Sequence, residues 1–100
     1  MSRINSEQNE LHCNIIVKGL VQGVSFRAFT KRKAQSLGLM GIVRNLSNGD
    51  VEIDVEGNQE RISELIQWLR KEGSPGSEVT DVIITTIKEE ANYSYFKISW

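Results

Sequence analysis

One hundred residues (11.3 kDa) leave room for one compact domain and exclude two; with 39% hydrophobic and 25% charged residues and no apolar run near the roughly 18 residues of a membrane span, the composition is that of a soluble globular chain. One cysteine, Cys13, excludes an internal disulfide and a cysteine-only metal site, and the polar start Met1-Ser2-Arg3-Ile4-Asn5-Ser6 has no secretory apolar stretch, so the expected address is the cytoplasm. The net charge of −1 is unevenly spread: residues 1–48 sum to +5 and residues 49–100 to −6, which hints at an anion-binding side in the first half.

Residues 1–11 are polar and aperiodic and are expected to form a disordered tail ahead of one domain over residues 12–100. From His12 to Lys18 the alternation of Cys13, Ile15 and Val17 with polar neighbours predicts a strand that stops at Gly19. A first helix begins near Phe26, with Phe26, Phe29, Ala34 and Leu37 at helical spacing, Ser25 as N-cap and Gly38 as left-handed C-terminal cap. Leu39 to Leu46 and Asp50 to Glu56 are β-prone and joined through Asn48-Gly49, a dipeptide suited to the positive φ angles of a tight hairpin. In the second run Val51, Ile53 and Val55 point to the core, while Asp50, Glu52, Asp54 and Glu56 make the other face acidic.

Asn58 caps a second helix with the stripe Ile62, Leu65, Ile66 and Leu69, and Arg70 and Lys71 meet the negative end of its dipole before Gly73. Ser74-Pro75-Gly76 is a turn, Val79 to Ile87 a strand, and Phe96, Ile98 and Trp100 alternate in a last short strand after a loop around Asn92. The order β-α-β-β-α-β with a short fifth strand predicts an α+β, ferredoxin-like split βαβ sandwich, with two helices on one face of a mixed, mostly antiparallel sheet. A right-handed crossover makes strands one and two parallel, so their carboxyl ends and the start of the first helix share one sheet edge, where ligands of open α/β sheets tend to bind.

That edge carries Gly19-Leu20-Val21-Gln22-Gly23-Val24-Ser25-Phe26-Arg27. Two glycines allow successive N–H groups to converge into an anion nest, and the helix adds about half a positive charge at its amino end. The spacing fits neither a P-loop nor a dinucleotide fingerprint. Arg27 in a first helical turn opposes the macrodipole, a violation that a bound oxyanion would reverse. Asn45, a poor strand former near the end of the second strand, lies at the same edge; a hydrogen bond to the hairpin backbone is its simplest structural use.

The run Gly19 to Arg27, followed by Gly41-Ile42-Val43-Arg44-Asn45 with Gly49, Val51 and Gly57 downstream, resembles the two signatures of the acylphosphatase family, and the likeness spans about residues 12–100. The resemblance implies a hydrolase that cleaves the carboxyl–phosphate bond of small acyl phosphates to a carboxylate and inorganic phosphate. It places phosphate binding on Arg27 and on the backbone of Gly19, Leu20, Val21, Gln22, Gly23, Val24 and Ser25, and positioning of the attacking water on Asn45. Ile42 stands where the family usually has an aromatic residue, a change of packing beneath the site.

The chemistry suits so sparse a site: the leaving carboxylate has a conjugate acid of pKa about 4, so no general acid is needed. No metal and no cofactor is expected, and the partners the resemblance implies are a small-molecule acyl phosphate and inorganic phosphate, the product and a competitive inhibitor. Neither nucleic acid nor membrane is expected to bind, and the chain is expected to be a monomer. The competing reading is a non-catalytic ferredoxin-like module that binds an anion or RNA; RNA would require exposed sheet aromatics, where this sheet offers acid. His12 and Cys13, adjacent on a strand, should point to opposite faces as a surface imidazole and a buried thiol, which argues against a shared metal or nucleophile site. Lys31-Arg32-Lys33 reads as solvated charge, and the carboxylates of the third strand lack further ligands for a metal.

Overall fold

Val51, Ile53 and Val55 are fully buried while Glu52, Asp54 and Glu56 between them are not, and that alternation decides which side of the sheet is covered. A computed structural model describes residues 9–100. The elements run β1 (Glu10–Leu20), α1 (Phe26–Ser36), β2 (Met40–Asn45), β3 (Val51–Asn58), α2 (Gln59–Lys71), β4 (Glu78–Ile87) and β5 (Phe96–Ile98), in a five-stranded sheet of order β4-β1-β3-β2-β5. β3 pairs antiparallel with both β1 and β2, β4 pairs antiparallel with β1, and only the β2–β5 pair is parallel. This is the expected ferredoxin-like sandwich. Cys13, Ile15, Val17, Val43, Val82 and Phe96 join the β3 valines and Ile53 in one core with Phe26, Ala34, Ile62, Leu65 and Leu69 of the helices. No described helix is long and apolar enough to cross a membrane.

β1 begins at Glu10, since Glu10 and Leu11 extend the ladder opposite Asn58 and Gly57; the rest of the expected tail, residues 1–8, lies outside the described residues. The buried stripe of α1 is Phe26, Thr30 and Ala34, with Phe29 and Leu37 only half-buried, so a threonine occupies a position the apolar spacing assigned elsewhere. Its Oγ1 is buried without a partner among the described residues. Leu39 N–H bonds the Ala34 carbonyl and Gly38 takes φ 72°, the left-handed end expected there. Asn58 Oδ1 accepts from the N–H groups of Glu60 and Arg61, as a cap should. In the β2–β3 hairpin only Gly49 has positive φ; Asn48 instead accepts the Asp50 N–H through its side chain, giving a three-residue loop rather than a two-residue turn.

The open face of the sheet is a polar network. Asp54 accepts from His12 Nε2 and from the Tyr93 hydroxyl, both at 2.7 Å, and Asn14 bridges Glu52 and Asp54 at 2.9 and 3.1 Å. Glu56 accepts from the N–H groups of Ala91 and Tyr93 and so pins the β4–β5 loop. His12 is not the surface imidazole expected: its side chain is 12% exposed, because Tyr93 and Asp54 close over it. Its Nδ1 meets the Glu89 carbonyl at 2.6 Å, so both ring nitrogens face acceptors, an arrangement fully satisfied only by the imidazolium. Burial alone would lower the His12 pKa; the bonds to Asp54 and Glu89 outweigh it and hold the imidazole above its ordinary 6.5. Burial would likewise raise Asp54, but bonds from His12, Tyr93 and Asn14 hold it below the usual carboxylate value, and backbone donors do the same for Glu56.

Two predictions test this frame. The His12 contribution to stability is complete below about pH 6.5 and is lost as pH rises through its raised folded value, whereas those of Asp54 and Glu56 are complete above about pH 4 and are lost on acidification. Urea midpoints should therefore fall between about pH 5.5 and 8.5 in the wild type and stay flatter in His12→Ala; parallel curves would show the pair to be energetically silent. At Gly19 (φ 125°) a Cβ would run into the Glu78 carbonyl oxygen across a register shift between β1 and β4. Gly19→Ala is expected to cost roughly 2–4 kcal/mol in the same denaturation experiment.

Candidate active site

The loop that leaves β1 is tied down on both flanks. Gln22 Nε2 donates to the carbonyls of Leu46 and Asp50, each at 2.8 Å, which straps the loop to the β2–β3 hairpin. On the other side Ser74 Oγ donates to the Val24 carbonyl at 2.9 Å. Asp50, expected on the acidic face, is instead buried and takes Lys18 Nζ at 2.7 Å, so the hairpin and the end of β1 are joined a second time. Phe26, 1% exposed and 6.4 Å from Trp68, anchors the first turn of α1 in the core.

Between these ties the backbone alternates in hand: Gly23 has φ 78° and Ser25 φ 58°, with no positive φ at Gln22 or Val24. Ser25 does not cap α1 as expected. Its left-handed backbone, φ 58° and ψ 25°, carries the side chain away from the helix, and no side-chain cap bond forms. Among the described residues nothing accepts from the N–H groups of Gln22 through Arg27. Free N–H groups at the positive end of a helix dipole are the elements of an oxyanion cradle.

Arg27 lies half-buried in the first turn with no carboxylate partner among the described residues, while Lys18 and Arg44 are paired with Asp50 and Glu52. Its guanidinium lies over the Trp100 indole, Cζ 4.1 Å from the ring centroid. Asn45, the last residue of β2, sits opposite Val51, which also faces Val17 across the β1–β3 ladder; this register brings the end of β2 to the edge where the β1 loop begins. Asn45 Oδ1 is buried with no hydrogen-bond partner among the described residues. It does not bond the hairpin backbone, the structural use it was open to, and a buried acceptor left unpaired costs about 1–3 kcal/mol unless a ligand or water satisfies it.

A cleft of about 260 Å³ brings Val21, Gly23, Ser25, Arg27 and Asn45 together with Phe26, Ala28, Ile98 and Trp100. Four nominated residues stand outside its lining: Gly19 serves the register shift, Leu20 is 56% exposed, and Gln22 and Val24 hold the loop in place. Sequence reasoning missed Trp100 as a wall of the cleft. It expected strand alternation through Trp100, but β5 ends at Ile98 and the indole beyond it is 91% exposed. Only the parallel pairing of β5 on β2 reveals what the tryptophan meets. A second, larger cavity of about 660 Å³ at the far end of the sheet is bordered by Glu10, Glu56, Glu89 and Glu90, a poor surround for an anion. No cluster of three metal-ligating side chains occurs among the described residues.

A family model described as acylphosphatase matches residues 13–98. An acylphosphatase from Dehalococcoides mccartyi is 47% identical over 90 residues, covering 88% of this chain and 98% of its own length. One from Bacillus pumilus is 42% identical over 88 residues, covering 88% and 97%. Among solved structures, an acylphosphatase from Coxiella burnetii superposes with a TM-score of 0.87 at 41% identity, over 94% of this chain and 97% of that one. A match of this breadth, on a sheet edge that offers free amides, an unpaired arginine and an unsatisfied asparagine, is decisive: the chain belongs to the acylphosphatase family.

Proposed function

We propose that the cleft hydrolyses the carboxyl–phosphate bond of small acyl phosphates, releasing a carboxylate and inorganic phosphate. The observation that carries the residue roles is the shared cleft of Arg27 and Asn45, among the described residues the one a cation without a carboxylate and the other a buried acceptor without a donor. The N–H groups of Gly23 to Arg27 and the Arg27 guanidinium hold the phosphate oxygens; charge-assisted contacts of this kind strengthen as negative charge builds in the transition state. Asn45 Oδ1 accepts from a water and holds it in line with phosphorus, its contribution being orientation rather than basicity. The water oxygen forms the new bond to phosphorus, the bond from phosphorus to the carboxyl oxygen breaks with its electron pair, and the water's proton passes to the phosphate. A carboxylate leaves unaided, as its conjugate acid has a pKa of about 4; phosphate monoesters, with poorer leaving groups, are poor substrates.

Inorganic phosphate competes with substrate in this scheme because it fits the same cradle. Residues 12–100 make up the functional unit, a reading supported by the family match over 13–98, and the chain acts as a cytoplasmic monomer, with Cys13 a buried free thiol. Nucleic acid is not a partner: the open sheet face carries Glu52, Asp54 and Glu56 and would repel a phosphodiester backbone. The non-catalytic anion-binding reading predicts saturable phosphate binding without turnover.

A continuous assay with benzoyl phosphate separates the two. Arg27→Ala is expected to lose about 10²–10³-fold in kcat/KM and most of the inhibition by phosphate, whereas Asn45→Ala loses a similar factor in kcat while still binding phosphate. Near wild-type turnover by either variant would remove that residue from the mechanism. Activity is expected to survive EDTA, because Arg27 and the backbone amides supply the positive charge; loss restored by a divalent ion would refute the metal-free scheme.

A further inference from the structure

The hydrolytic chemistry leaves one side of the cleft unused. Val21 and Phe26, each 1% exposed, and half-buried Ile98 make that side apolar, and Trp100 stands over it. Trp100 is the most exposed large apolar side chain among the described residues, at 91%, yet it is held in place. Ser99 N–H bonds the Val43 carbonyl at 2.9 Å, two residues from Asn45, and the indole lies on the Arg27 guanidinium at 4.1 Å. The exposed indole offers a flat apolar surface at the mouth of the cleft that a ligand ring can cover.

The contact with the ring leaves the arginine competent, since none of its N–H groups has a protein acceptor among the described residues. A cation–π contact uses the charge of a guanidinium rather than its hydrogen-bond donors, which stay available to an oxyanion. The indole therefore sits beside the phosphate subsite without competing for it. An acyl phosphate has two unlike ends, a charged phosphate and a carbonyl carrying the acyl substituent. With the phosphate in the loop against Arg27, the substituent leaves the 260 Å³ cleft either into solvent or along Ile98 and the free face of Trp100.

We propose that Trp100, backed by Ile98, is the platform for the acyl group and gives the enzyme a preference for aromatic acyl phosphates over acetyl phosphate. The inference rests on the hydrolytic reading above and assigns the indole specificity rather than a part in the bond-making step.

The test compares kcat/KM for benzoyl phosphate and acetyl phosphate, and the inhibition constant of inorganic phosphate, in the wild type, Trp100→Ala and Trp100→Phe. Trp100→Ala is expected to lower the benzoyl-to-acetyl ratio about 3- to 10-fold, the worth of one aromatic stacking contact, chiefly through KM. Intrinsic differences between the two substrates cancel in this comparison of variants. Acetyl phosphate turnover and the phosphate inhibition constant should stay within about twofold, and Trp100→Phe should keep most of the ratio. An unmoved ratio overturns the proposal. So does an equal loss on both substrates with weakened phosphate inhibition, which would mean that the indole acts only by holding Arg27. A wild type that hydrolyses neither substrate overturns the hydrolytic reading and this inference with it.

Discussion

The cleft depends on β3 lying between two strands that run parallel to each other. Val51 faces Val17 on one side and Asn45 on the other, so the loop that follows β1 and the asparagine that ends β2 are set against one residue. A slip of one position in either ladder would turn Val51, Ile53 and Val55 out of the core, so burial enforces the register and the register enforces the site. Gln22 and Lys18 then add only short-range attachments between parts already brought together.

The same strand explains the uneven charge. β1 and β2 bring Lys18 and Arg44 beside β3 and its hairpin, where Asp50 and Glu52 receive them. The remaining carboxylates of β3, Asp54 and Glu56, hold His12, Tyr93 and the β4–β5 loop on the open face. Lys18 and Arg44 of the basic first half are thus cross-strand partners of acids in the second half. Arg27 differs from both: it lines the cleft and, among the described residues, has no carboxylate partner.

Local signals carried far. The alternation in β3, the Asn58 cap, the left-handed Gly38 and the order of elements were all legible, because each is a near-neighbour effect or follows from topology. Arg27 and Asn45 stood out as residues that suit their elements poorly, and the motif resemblance gave them roles. What escaped was set by distant partners. Ser25 looks like a cap until its backbone proves left-handed; Asp50 looks like surface acid until Lys18 reaches it; His12 looks exposed until Tyr93, eighty-one positions away, folds over it. Trp100 is the clearest case, for its contact with Arg27 exists only once β5 has paired parallel with β2.

Ser25 also has a thermodynamic meaning. A helix whose serine turns away from it is unfinished at its amino end, and the missing cap is worth about 1 kcal/mol. An oxyanion in the cradle would complete that end, taking the donors that the serine declines. Ligand and fold are then coupled by mass action: saturation at a hundred times the dissociation constant adds about 2.7 kcal/mol to the native state. In the proposed scheme the first helix would gain that cap with each substrate bound and lose it with each product released.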